Sequence, residues 1–144
     1  MLSHQSSICA VVPVSDIERA RRFYCDDLGL REVPVAPAGG LTLQAGGATM
    51  LFCYESPHAG RALHTLATWD VDNLEEEMEN LEEHGVRFED YDLPDGPTTD
   101  NGIASMDEVK SAWFKDPDGN VLCLHQLDPA LRKLLPREGV MTAH

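Results

Sequence analysis

An internal repeat constrains this chain more than any other feature. Val14-Ser15-Asp16-Ile17-Glu18 in the first half is echoed by Val71-Asp72-Asn73-Leu74-Glu75 in the second. Each segment follows an apolar, β-branched stretch and opens a helical pattern. A chain that repeats strand-then-helix is expected to build two copies of one supersecondary unit. Ser15 with Glu18, and Asp72 with Glu75, have the spacing of capping boxes, in which each side chain satisfies a backbone N–H of the first turn. Ile17, Ala20, Phe23 and Tyr24 share one helical face, as do Leu74, Met78 and Leu81. Leu28-Gly29 and His84-Gly85 supply the glycine that ends a helix in the left-handed conformation.

Both helices lead into strand material. Leu30 to Val35 and Val86 to Tyr91 read as extended. Leu41 to Ala45 and Thr49 to Tyr54 flank Gly46-Gly47, a hairpin signal. Ser111 to Lys115 and Val121 to His125 flank Asp116-Pro-Asp-Gly-Asn120, where Asp118-Gly119 is a stronger one. The expected order is therefore β-α-β-β-β, a linker around Glu55 to Arg61, then β-α-β-β-β. Leu93 to Glu108 is rich in Pro, Gly, Asp and Thr and reads as a long surface loop, with a short strand near Gly102 to Met106. Loops of that length usually cover something. Asp128 to Leu135 reads as a short capped helix, and Pro136 to His144 as a frayed end.

A chain of 144 residues, 42% hydrophobic and 25% charged, fits one globular domain spanning residues 1–144 with a core that needs no staples. No apolar run is long enough to span a bilayer, and the first residues lack the pattern of a signal peptide. Cys9, Cys25, Cys53 and Cys123 show no CxxC spacing and read as free thiols in a reducing cytoplasm. The net charge of −14 argues against nucleic acid and anionic membranes as partners. Three lysines among so many acids also suit a high-salt cytoplasm, with an ordinary acidic protein as the alternative.

Two stretches carry a family resemblance. One runs from Val12 to Leu30 and contains Val14-Ser15-Asp16 and Phe23-Tyr24-Cys-Asp-Asp-Leu-Gly29; the other is Ala112-Trp-Phe-Lys-Asp-Pro-Asp-Gly-Asn-Val-Leu122. Strand, V-x-D, helix and F-Y-x-x-x-L-G, closed by F-x-D-P-D-G-N and an apolar strand, resemble the modules of the glyoxalase/bleomycin-resistance/extradiol-dioxygenase superfamily. The resemblance implies an α+β fold of two tandem βαβββ modules forming a cup-shaped, partly open barrel with helices outside. Module one would run from about residue 6 to 55, and module two from about 62 to 127. It also implies a homodimer.

Metal-dependent members of that superfamily place a ligand on the first and last strand of each module. Carried over by position, these sites fall on Cys9, Leu51, Leu66 and Cys123. Leucine cannot ligate a divalent ion, so the usual hard-donor site is expected to be missing. Alternation along strands places His64 with Leu66, Cys53 with Leu51, and His125 with Cys123. A soft zinc site from Cys9, Cys123, His64 and His125 is the alternative, with packing of the cup wall as the plainer reading.

Three functions follow. The first is a small-molecule binder without the usual divalent metal, taking an apolar or aromatic ligand between Cys9, Val11, Leu51, Cys53, His64, Leu66, Thr68, Trp113, Cys123 and His125, under a lid of Leu93 to Met106. The second is an enzyme of lyase, isomerase or dioxygenase type acting on a small carbonyl or phenolic compound, through an unusual metal site or through His64 or His125. The third is a dimeric interaction module with a filled cup. Trp69 and Trp113 suit either stacking on a ligand or packing; Tyr24 reads as a core aromatic, and Tyr54 and Tyr91 as strand-end phenols.

Overall fold

The computed structural model of the chain describes Leu2 and residues 4–135. The segment Pro136 to His144, expected to fray, lies outside the described residues. The elements run β1 (Ala10–Val14), α1 (Ile17–Arg21), β2 (Arg31–Val33), β3 (Leu41–Gln44), β4 (Met50–Glu55), β5 (Thr65–Asp70), α2 (Leu74–Glu83), β6 (Ala104–Met106), β7 (Val109–Lys115), β8 (Val121–Leu127) and α3 (Pro129–Arg132). The class is α+β, with two separate four-stranded sheets in the orders β1-β4-β3-β2 and β5-β8-β7-β6. Contacts divide the chain into two compact units, and each is described by itself. One takes in the chain up to Ala67 together with Lys115–Val121; the other takes in Thr68–Phe114 and the chain from Leu122 on.

In the first unit, β1 pairs in parallel with β4, and β3 runs antiparallel to both β4 and β2. Partnered residues project to the same face. Val12 faces the same way as Cys53, and Leu43 the same way as Leu51. All four are buried, with Val14 and Leu41 beside them and Ala20, Phe23 and Tyr24 from the helix, which touches β4. After α1 the chain widens into a π-helical stretch, Arg22–Asp27, with Leu28 N–H donating to the Phe23 carbonyl. Both neighbouring aromatics, Phe23 and Tyr24, are buried there, edge to face at 5.1 Å. Gly29, at φ 84°, then ends the helix as its sequence position implies.

The capping boxes are displaced by one residue. Asp16, not Ser15, caps α1, accepting from the N–H groups of Glu18 and Arg19 at 2.9 and 3.2 Å. Asn73, not Asp72, caps α2, accepting from Glu76 N–H at 3.1 Å. The reason is competition for the side chain. Ser15 is taken by Asp118, which accepts from both its N–H and its hydroxyl. The carboxylates expected to reach back are also engaged: Glu18 pairs with Arg21, and Glu75 with Lys110.

The turn Asp116–Asn120 is the polar centre of the first unit. Asp116 is buried, and its carboxylate accepts from Tyr24 Oη and Asn120 Nδ2, each at 2.8 Å, and from the N–H groups of Asp118 and Asn120. Asn120 also donates to the Pro13 carbonyl at 2.7 Å and accepts from Gly60 N–H at 3.0 Å. Gly60 is required where it stands. Its φ is +75°, and a Cβ would lie 1.9 Å from the Asp118 carbonyl oxygen.

In the second unit, Leu74, Met78 and Leu81 form the buried face of α2, and α2 ends at Gly85 with φ 87°. Trp69, Phe88 and Phe114 stack around them, with centroids 6.2 and 5.5 Å from the central Phe114 ring. Trp69 is thus a packing residue. The expected strand Val86 to Tyr91 is reduced to one bridge, Phe88 to Phe114. The edge of β7 is shared: Phe88 holds its far end, and β6 takes the rest through Ala104–Ser111 and Met106–Val109 pairs. The chain between them loops out. Asp90 ties the base of the loop, accepting from Thr99 Oγ1 and Gly102 N–H at 3.0 Å each. The short helix α3 starts at Asp128, as expected, with its carboxylate capping Ala130 N–H.

Burial raises the affinity of Asp116 for a proton, while its hydrogen-bond donors oppose that rise. A carboxyl whose folded pKa lies above its unfolded value makes stability fall as pH rises between the two values. Removing the Tyr24 hydroxyl withdraws a donor from the ionised form. Tyr24→Phe is expected to lower unfolding free energy by roughly 2 kcal/mol at neutral pH. The loss should be smaller in acid, where Asp116 is protonated. Urea unfolding of both proteins at the two pH values checks this, and an equal loss at both would contradict it.

Candidate functional site

Each sheet has one face packed under its helix and one opposite face. On the first sheet the opposite face carries Val11, Phe52 and Tyr54. Val11 partners Phe52 across β1 and β4, and the Phe52 and Tyr54 rings stack at 6.5 Å. Val11 is 50% exposed and Tyr54 40%. Leu51 and Cys53, expected on this face, project the other way and are buried with Val12 and Leu43. The expectation counted β4 from Gly47, but the turn closes through Thr49 N–H to the Gly46 carbonyl and Ala45 N–H to the Thr49 carbonyl. One residue of slip sends every side chain to the opposite face. The last-strand position of the first half therefore falls on Phe52. Cys9 is exposed and immediately precedes β1.

The second sheet keeps the expected parity. The Cys123 thiol interacts with the side chains of Ser111 and Thr68. These three, with Trp113 and His125 two residues along their strands, therefore share one face. Leu66 lies at the same parity on β5 and is half-buried, whereas His64 precedes the strand and is exposed. The Tyr91 ring meets Trp113 edge to face at 5.7 Å. Tyr91 stands where the surface loop begins, and the loop's first rung pairs Asp92 with Thr98.

At the end of β5 the same face becomes ionic. Asp70 accepts two hydrogen bonds from the Arg132 guanidinium, at 2.7 and 2.9 Å, and Arg132 also donates to the Val71 carbonyl. His125 Nε2 lies 3.7 Å from Asp70 Oδ1. The His125 backbone is fixed as well, its carbonyl accepting from Val71 N–H at 2.9 Å. Asp70, Ser111, Arg132 and Phe52 escaped the sequence reading as site residues. Extending the alternation by two residues from Thr68 and Trp113 would have found Asp70 and Ser111; Arg132, on a separate helix, gives no such signal.

The thiols on and behind these faces are poor nucleophiles. Burial pushes Cys53 up to about 12 and Cys123 up to about 11. Ser111, Thr68 and the Ala112 N–H pull Cys123 partly back.

The donor set does not fit the metal site of metal-dependent relatives. With the corrected register, the four strand positions are Cys9, Phe52, Leu66 and Cys123, and two of them have no donor atom. Among the described residues no three His, Cys, Asp or Glu side chains are grouped to hold an ion, the soft set Cys9, Cys123, His64 and His125 included.

Comparison with known proteins agrees with the architecture. Residues 7–124 match the family model of the Glyoxalase/Bleomycin resistance protein/Dioxygenase superfamily. The chain belongs to that superfamily. Among solved structures it is similar to TnmS3, an antibiotic binding protein from Streptomyces sp. CB03234, at 27% identity over 88% of this chain and 100% of that one, with a TM-score of 0.62. A glyoxalase/bleomycin resistance protein from the same organism is 28% identical over 81% and 96% of the two chains, with a TM-score of 0.59. The fosfomycin resistance protein FosX from Listeria monocytogenes shares the fold at 15% identity, over 92% and 99%, with a TM-score of 0.64. No curated protein matches the chain significantly.

Exposure and thiol acidity together predict an order of modification. In the native protein a disulfide reagent should react first at exposed Cys9, more slowly at half-buried Cys25, and at Cys53 and Cys123 only after denaturation. Peptide mapping after timed labelling gives the order; early labelling of Cys123 would contradict the buried, protonated thiol.

Proposed function

We propose that this protein binds a small apolar or aromatic molecule without the divalent metal that metal-dependent members of its superfamily use. The carrying observation is the chemistry of the strand positions. Where hard oxygen and nitrogen donors would stand, this chain has phenylalanine, leucine and two cysteines. The side chains around those positions are aromatic or weakly polar: Trp113 and Tyr91 on the second sheet, Phe52 and Tyr54 on the first. Flat rings and a protonated thiol favour a polarisable, poorly hydrated ligand by burying apolar area. The two Streptomyces relatives, one described as antibiotic binding, support a sequestering role. The loop that starts at Tyr91 and returns at β6 is its cover in this reading. The protein would work as a homodimer in the cytoplasm, with no nucleic-acid or membrane partner.

Two coupled measurements test the proposal. Protein purified without chelator is analysed for zinc, iron, manganese and nickel per chain. The same preparation is titrated with 2-hydroxyanthraquinone, read by quenching of tryptophan fluorescence. Metal well below one per chain, with binding that survives EDTA and weakens roughly ten-fold in Trp113→Ala, is the expected result. One metal per chain, or binding abolished by EDTA, would overturn the reading in favour of a metal-dependent enzyme.

A further inference from the structure

The ionic end of the second sheet suggests more about the ligand than its flatness. Asp70 is held rigidly. Arg132 grips both of its oxygens, and the same guanidinium is tied to the Val71 carbonyl and stands 3.6 Å from Asp72. The carboxylate is therefore oriented before any ligand arrives. Its Oδ1 faces His125 Nε2 at 3.7 Å. A carboxylate beside one ring nitrogen favours the tautomer with its proton on that nitrogen. The other nitrogen, Nδ1, is then left with a lone pair. The His125 side chain is 31% exposed, so a ligand can reach it.

The position of this pair matters as much as its polarity. His125 lies two residues beyond Cys123 on the same face of β8, about 7 Å along the strand. Trp113 and Tyr91 pair on that face too, and Tyr91 acts electrostatically on Cys123. The surface thus runs from an aromatic corner, past a neutral thiol, to an oriented hydrogen-bond acceptor. The distance between corner and acceptor is about one substituted aromatic ring. Neither Arg132 nor Asp70 is needed for an unmodified hydrocarbon, which would find this end costly to desolvate.

We propose that His125, positioned by Asp70 and Arg132, is the polar recognition point of the site, and that the ligand is an aromatic compound carrying a hydroxyl that donates to it. This rests on the binding function proposed above and narrows its ligand to phenol-type molecules. Asp70 and Arg132 are positioning residues; His125 makes the contact. A ring hydroxyl donates its hydrogen to the free ring nitrogen while the ring packs against Trp113. A methyl ether of the same ring keeps the packing and loses the donor.

The test compares 4-nitrophenol with 4-nitroanisole on the full chain, by tryptophan quenching and by the visible spectrum of the nitrophenol. The wild type is expected to prefer the phenol by roughly ten-fold, the worth of one well-placed hydrogen bond. His125→Phe should remove the preference while leaving the ether's affinity unchanged. Asp70→Asn should reduce the preference, and the bound nitrophenol should lose whatever spectral shift the wild type imposes on it. Equal affinity for the two probes in the wild type, or a preference that survives in His125→Phe, overturns the assignment of His125 but leaves the metal-free aromatic site standing. Binding of neither probe overturns both.

Discussion

A buried carboxylate organises the first unit. Asp116 sits among apolar groups, where an ionised side chain is tolerated only if its lone pairs are met. Here they are met from three directions: the phenol of Tyr24 on the helix, the amide of Asn120, and two backbone N–H groups of its own turn. Asn120 extends the network to the Pro13 carbonyl on β1 and to Gly60 in the segment before β5. Asp118 adds Ser15 and Arg19. Breaking one member leaves another buried group unsatisfied, so these contacts stand or fall together. The network also explains why α1 starts one residue later than expected. Once Asp118 has taken Ser15, only Asp16 is free to cap the helix.

The same network shows which features were legible in the sequence. The repeat, the helical faces and the terminal glycines are local patterns, and the structure reproduces them. The F-x-D-P-D-G-N stretch announces a tight turn, but nothing local says that its first aspartate will be buried against Tyr24, which lies far away in sequence. Strand parity was legible only where the turn was unambiguous. Asp118-Gly119 fixes β8, and the thiol of Cys123 meets Ser111 and Thr68 on the expected face. Gly46-Gly47 does not fix β4 so tightly, because the loop includes Ala48 and closes at Thr49. Counting one residue short moved Leu51 and Cys53 from the core to the opposite face. Burial of both with Val12 restores the register.

The misplaced strand did not change the chemical conclusion, and the reason is instructive. Correcting the register replaces one residue without a donor, Leu51, by another, Phe52. The case against a hard-metal site therefore does not depend on a single register choice. Val86 to Tyr91 teaches the converse. Its composition suits a strand, yet only Phe88 is paired, because β6 occupies the rest of the β7 edge. Edge space on a sheet is finite, and a later segment can displace an earlier one that has equal propensity.

Where a metal is not used, the protein needs another source of specificity. Apolar burial alone discriminates weakly between flat molecules of similar size, by about one to three kcal/mol per group. A buried or half-buried polar group discriminates more strongly, because a ligand that fails to satisfy it pays for the unmet hydrogen bond. On the second sheet that requirement falls to the ionic end of the face. Arg132 and Asp70 neutralise each other and are already mutually satisfied, so they make little demand of a ligand. His125 is different: its contact with Asp70 is longer, and its second nitrogen remains to be matched. A face composed of rings and a protonated thiol would accept many aromatic compounds; one oriented imidazole at its end is enough to select among them.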